Sequence, residues 1–86
     1  MKNKRTKEFN KLFVRLPLHI QKQAKEAYSL FKIDPHYPSL HFKCIDTQES
    51  IYSVRVSRNY RAVGVWKGDT IYWFWIGSHE DYNNLL

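Results

Sequence analysis

With one cysteine in 86 residues, Cys44, the chain has no partner for an internal disulfide, which fits a reducing compartment. Cys44 itself reads as a packing residue in a strand, made mildly reactive at most by Lys43 beside it. No apolar run approaches the ~20 residues that span a bilayer. The opening Met1-Lys2-Asn3-Lys4-Arg5 is charged, but no apolar stretch follows it as a signal peptide requires. His19, His36, His41 and His79 are scattered and lack zinc-site spacing, so no metal is expected. Gly64 to Gly68 matches neither a Walker loop nor a dinucleotide-binding turn, and no cofactor is expected either. Acid is scarce at the front, where Glu8 and Glu26 stand against nine Lys/Arg over residues 1–33, a balance of +7. Residues 34–86 balance to −1. That asymmetry suits a polyanionic partner, nucleic acid or an acidic protein segment.

What is present is apolar and aromatic. Hydrophobic residues make up 43% and aromatic residues 16%, which excludes a disordered tail. At this length the chain is expected to be one domain spanning 1–86, with large rings compensating for a thin core. There is no linker, repeat or low-complexity stretch.

Phe9, Leu12, Phe13 and Leu16 recur on one helical face, with Thr6 as the expected cap. Pro17 ends that helix and suits the first turn of the next, whose face is Ile20, Ala24, Ala27 and Phe31, with Tyr28 alongside. Asp34-Pro35-His36-Tyr37-Pro38 stops it. From Leu40 the period becomes two, and Leu40–Ile45, Ile51–Val56, Tyr60–Trp66 and Thr70–Ile76 read as strands joined by short loops, hence antiparallel neighbours. Ser78 suits the cap of a short terminal helix. The expected fold is α+β: an N-terminal helical hairpin packed on a four-stranded antiparallel meander sheet, with a short C-terminal helix. The residues before Thr6 have room for a short extra edge strand.

A two-residue type II′ turn at Gly68-Asp69 would set Gly64 opposite Trp73 and Ala62 opposite Trp75. Ala62, Gly64, Trp66, Trp73 and Trp75 are then expected under the helices. Arg61, Val63, Val65, Tyr72, Phe74 and Ile76 go to the other face, where Tyr72, Phe74 and Ile76 would be exposed to a partner. A three-residue loop, Ser57-Arg58-Asn59 with Asn59 left-handed, would pair Val56 with Tyr60 and Arg55 with Arg61. Opposed guanidinium groups repel, and no acid lies between Glu49 and Asp69 to neutralise them. A phosphate site would explain the pair, because guanidinium matches phosphate oxygens as a bidentate fork. Pairing with Glu80, Asp81 or a distant carboxylate is the alternative. The turn at Gly77 should bring His79, and with it Tyr82, close to the pair. Arginine, histidine and tyrosine together supply the charge stabilisation and proton transfer that RNA cleavage needs.

Tyr52-Ser53-Val54-Arg55-Val56, Asn59-Tyr60-Arg61-Ala62 and Ile76-Gly77-Ser78-His79-Glu80-Asp81-Tyr82 resemble the RelE/ParE toxin superfamily, especially its HigB- and RelE-like members. Lys7-Glu8-Phe9 running to Leu16-Pro17, and Asp34-Pro35 through Leu40, extend the likeness over nearly the whole chain. The resemblance implies a type II toxin held by a cognate antitoxin, and often ribosome-dependent cleavage of mRNA. It matches Arg55 to a basic strand residue and Arg61 to the phosphate-stabilising arginine. His79 falls where members carry arginine or histidine, and Tyr82 near a C-terminal tyrosine. Ser53 departs from the pattern, since RelE members have a second lysine there. The short N-terminus also suggests a truncated first strand.

The expected function is therefore a cytoplasmic, metal-independent endoribonuclease that inhibits translation. Arg55, Arg61, His79 and Tyr82 would be catalytic, and Lys43, Arg58, Lys7, Lys11, Lys22 and Lys25 would hold RNA or ribosomal phosphates. A non-enzymatic, ParE-like inhibitor of a protein such as DNA gyrase is the alternative, with a degenerate member that only binds its antitoxin behind it.

Overall fold

The computed structural model describes Met1–Leu85. Its elements are β1 (Lys2–Arg5), α1 (Lys7–Val14), α2 (Leu18–Ile33), β2 (Lys43–Asp46), β3 (Ile51–Ser57), β4 (Tyr60–Lys67), β5 (Thr70–Ser78) and α3 (His79–Leu85). The strands form one five-stranded sheet in the order β1-β5-β4-β3-β2. The residues before Thr6 do form an edge strand, and it runs parallel to β5. The other four strands are the antiparallel meander read from the sequence. No helix is long and apolar enough to cross a membrane among the described residues.

Local chemistry accounts for the helices. Thr6 Oγ1 accepts from the Phe9 amide at 3.2 Å, capping α1, and α2 follows Pro17 directly. The hairpin joint is tied by Gln21, whose side-chain amide donates to the Leu16 carbonyl at 3.0 Å. Phe9, Ala24, Ala27 and Phe31 are buried against Val54, Ala62, Ile71, Trp73 and Ile76 of the sheet. The Phe31 ring meets the Trp73 ring edge-on at 5.4 Å between centroids.

Four sequence expectations need correction. The first strand of the meander begins at Lys43 rather than Leu40, because Pro38–Leu40 form a 3-10 turn and His41 is left-handed at φ 45°. Cys44 is exposed on that edge strand instead of packed. The β3–β4 loop has two residues, Arg58-Asn59, with Ser57 opposite Tyr60 and Asn59 not at positive φ. A bulge at Val56 absorbs the difference, so Arg55 still faces Arg61.

The fourth correction lies in β5. The turn at Gly68 (φ +60°) holds Lys67 opposite Thr70, and Gly64 does face Trp73. Phe74 is then an extra residue, so Val63 faces Trp75 and Ala62 faces Ile76. Trp75 and Ile76 thereby exchange the sides that strict alternation assigned them. Ile76 is 2% exposed in the core, and not available to a partner. Its smaller side chain fits under a hairpin that already supplies Phe9, Phe13 and Phe31 around the Trp73 indole.

Gly64 is required by that packing. A Cβ there would come within 2.9 Å of Trp73 Cε3, 3.0 Å of the Tyr72 carbonyl oxygen and 3.1 Å of Ile71 Cγ1. Backbone cannot yield as a flexible side chain can, so Gly64→Ala should destabilise by about 1–3 kcal/mol despite alanine's better fit to a strand. Urea unfolding with an unchanged m-value would check this, and an unshifted midpoint would refute it.

Candidate functional site

Strand alternation sets Lys43, Ser53, Val63 and Trp75 in one row across the sheet face away from the hairpin, and Arg55, Arg61 and Gly77 in the next. α3 closes this face, and two contacts fix where it starts. The His79 amide donates to the Asn59 carbonyl at 2.6 Å, and Ser78 Oγ caps the helix by accepting from the Asp81 amide at 3.1 Å. Together they hold His79 beside the β3–β4 turn, above Arg61.

Arg61 is the centre of the cluster. Its Nε donates to His79 Nδ1 at 3.2 Å, and its guanidinium carbon lies 5.5 Å from the Tyr82 ring centroid. The His79 and Tyr82 rings stack at 6.1 Å with 21° between their planes. Because Nδ1 accepts, the neutral imidazole carries its proton on Nε2. Arg61 Nη1 is closed off from solvent and has no hydrogen-bond partner among the described residues. Among the described residues the one ion pair within 4.0 Å joins Lys2 and Asp69, at 3.8 Å. Glu80 and Asp81 therefore do not neutralise Arg55 or Arg61. Two arginines in adjacent strand register, neither paired with a carboxylate among the described residues, leave positive charge that suits an anion.

The structure thus brings together Arg61, His79 and Tyr82; Arg55 is opposite Arg61 in strand register and, with Arg58, lines a cleft against Gln23 and Glu26 of α2, while Lys43 lies one row over. Arg58 is exposed on the adjoining turn. Lys7, Lys11, Lys22 and Lys25 are exposed on the helical hairpin, which packs against the opposite face, so they belong to a separate surface. Tyr82 is 6% exposed, and with its ring flanked by His79, Arg61 and Trp75 it suits a wall of the site better than a carrier of protons. Ser53 is fully buried beneath this face with its hydroxyl unpartnered, a burial that the alternation of β3 alone does not reveal.

Two contributors escaped the sequence reading. Strict alternation places Trp75 in the core, and Gly77 alone predicts only a turn. A Cβ on Gly77 would lie 2.7 Å from Trp75 Cζ2, which means that the indole is laid over that glycine. The Trp75-x-Gly77 spacing, which puts both on one side of a strand, was the available signal.

Several solved structures share the architecture of this chain. A chain of the RelB–RelE antitoxin–toxin complex from Methanococcus jannaschii matches with TM-score 0.76 at 23% identity, covering 96% of this chain and 98% of that one. The YoeB/ParE toxin from Agrobacterium tumefaciens matches with TM-score 0.71 at 14% identity, over 92% of this chain and 99% of the toxin. The archaeal RelE–RelB complex from Pyrococcus horikoshii OT3 gives TM-score 0.70 at 17% identity, over 90% of this chain and 92% of its own. No curated protein sequence matches significantly. The family model for the ParE-like toxin domain matches residues 18–84, from the start of α2 into α3, and includes Arg55, Arg61, His79 and Tyr82. With most of its length matched and its sheet and helices arranged as in these toxins, the chain belongs to the ParE-like toxin family of the RelE/ParE superfamily.

Proposed function

We propose that this toxin is a metal-independent endoribonuclease that cuts mRNA on the ribosome. The observation that carries the reading is the Arg61 guanidinium, held by His79 and Tyr82, opposite Arg55 and without a carboxylate partner among the described residues. A phosphodiester entering between the arginines meets positive charge where negative charge grows during cleavage. As the phosphate draws the guanidinium N–H groups to itself, the lone pair on His79 Nδ1 is released. It can then take the proton of the 2′-hydroxyl as that oxygen attacks phosphorus. The 5′-oxygen leaves with the bonding pair and takes the proton back from the imidazolium, giving a 2′,3′-cyclic phosphate and a free 5′-hydroxyl. Lys43 and Arg58 would hold flanking phosphates, and Lys7, Lys11, Lys22 and Lys25 would grip ribosomal RNA from the hairpin side.

Purified protein added to translating ribosomes should cut mRNA within codons, and expression should arrest growth. Intact mRNA in that assay would sink the enzymatic reading.

One feature favours a second reading, inhibition of a protein target such as DNA gyrase. Ser53 is buried and uncharged where the resemblance to RelE leads one to look for a second lysine. A supercoiling assay run beside the cleavage assay separates the two.

Either activity calls for a neutralising antitoxin in the same compartment, the cytoplasm. An acidic, amphipathic segment suits the narrow apolar cleft between hairpin and sheet, which Phe9, Phe13 and Phe31 line and Arg5 and Lys25 flank.

A further inference from the structure

We propose that Trp75 is a positioning residue for the site: seated on Gly77, its indole holds Tyr82 and, through that ring, keeps His79 and the Arg61 guanidinium in their working geometry. Trp75 is on this face at all because Phe74 is an extra residue in β5; without that bulge the indole would point under the hairpin. Bulges re-aim side chains in this way beside functional sites. Once on the outer face, the ring needs a place to lie. Gly77, two residues on and directly opposite Arg61, provides it, with Trp75 Cζ2 and Cη2 standing 2.7 and 3.0 Å from where a Cβ would be.

From there the contacts run in one direction. Trp75 and Tyr82 have their ring centroids 6.3 Å apart at 47°, and Tyr82 is buried although it belongs to a seven-residue terminal helix. Tyr82 stacks with His79 and lies against the Arg61 guanidinium, and His79 accepts the Arg61 Nε–H. If the indole is removed, Tyr82 loses the wall on one side, and the two groups that lean on it lose their reference. A side chain at 77 evicts the indole and should have the same consequence by a different route.

The kinetic part of this inference rests on the ribonuclease reading, whereas the geometric part does not, so both are measured. In the wild-type protein, nitrogen NMR of His79 should report the Nε2–H tautomer, with the Arg61 Nε–H protected from exchange. Trp75→Ala and Gly77→Ala should both lose the tautomer preference and the protection. Cleavage of ribosome-bound mRNA should fall about 10- to 100-fold in kcat, with KM within about twofold, as small misplacements of reacting groups do. Trp75→Phe, which keeps a ring over Gly77, should restore most of both. The proposal is overturned if the His79 and Arg61 signals persist in Trp75→Ala and Gly77→Ala while only thermal stability drops, or if Trp75→Phe is as impaired as Trp75→Ala. Should the wild type leave mRNA uncut, the ribonuclease reading fails, and the NMR comparison still decides the role of Trp75.

Discussion

Arg61→Ala should lower mRNA cleavage by about 10²–10³-fold while leaving the fold as stable as before, within about 1 kcal/mol. On the ribonuclease reading proposed above, the loss follows from removing the charge that would face the phosphate. The unchanged stability follows from what Arg61 does in the folded chain. It stands across from Arg55, a like-charge pair whose removal is favourable by a few tenths of a kcal/mol to about 1. It also carries a buried nitrogen without a partner, whose desolvation is relieved by truncation. Against these stand the contact with the Tyr82 ring and the bond to His79, each on the order of 1 kcal/mol. Opposing terms of similar size cancel. Cleavage within about threefold of wild type would overturn the assignment, and a large fall in unfolding midpoint would show that Arg61 is structural.

Trp73→Ala should act in the opposite way, destabilising the fold by about 3–5 kcal/mol, on the order of half the stability of a domain of this size. The indole is 4% exposed, meets Phe31 edge-on, and fills the space left by Gly64. Its Nε1 also donates to Asn3 Oδ1 at 3.0 Å, the side-chain link between β5 and β1. Urea unfolding should show the lowered midpoint. Hydrogen exchange should show β1 amides released first, because that strand otherwise depends on its parallel pairing and one exposed ion pair. Trp75→Ala, two residues away but on the other face, should have a smaller effect on unfolding, so the two tryptophans separate stability from site geometry.

Much of this architecture is legible in the sequence. The helical hairpin follows from period and caps, because Thr6, Pro17 and Asp34 act within their own turns. Arg55 opposite Arg61 is legible only in its outcome: the three-residue loop expected from the sequence pairs them, and the two-residue loop keeps the pair because the bulge at Val56 makes up the missing residue. The β4–β5 register was only half legible. Gly68 fixes the turn, but a bulge beyond the fourth pair depends on how many rings fit beneath the hairpin, which is a property of the assembled core. The same blindness misplaced Trp75 and concealed Gly77. The burial of Ser53 was invisible for a related reason, since it depends on side chains from neighbouring strands and not on the alternation of its own.

The pairing of β1 with β5 has a consequence for how the protein is made. Asn3 must wait for Trp73, 70 residues downstream, before either can be satisfied, and His79 follows later still. During synthesis the hairpin can form early, but the sheet it rests on lacks its fourth and fifth strands until nearly the whole chain has been polymerised. The Arg61–His79 contact is completed after that. The arginine–histidine cluster is therefore incomplete until the last strand and the turn into α3 have been made.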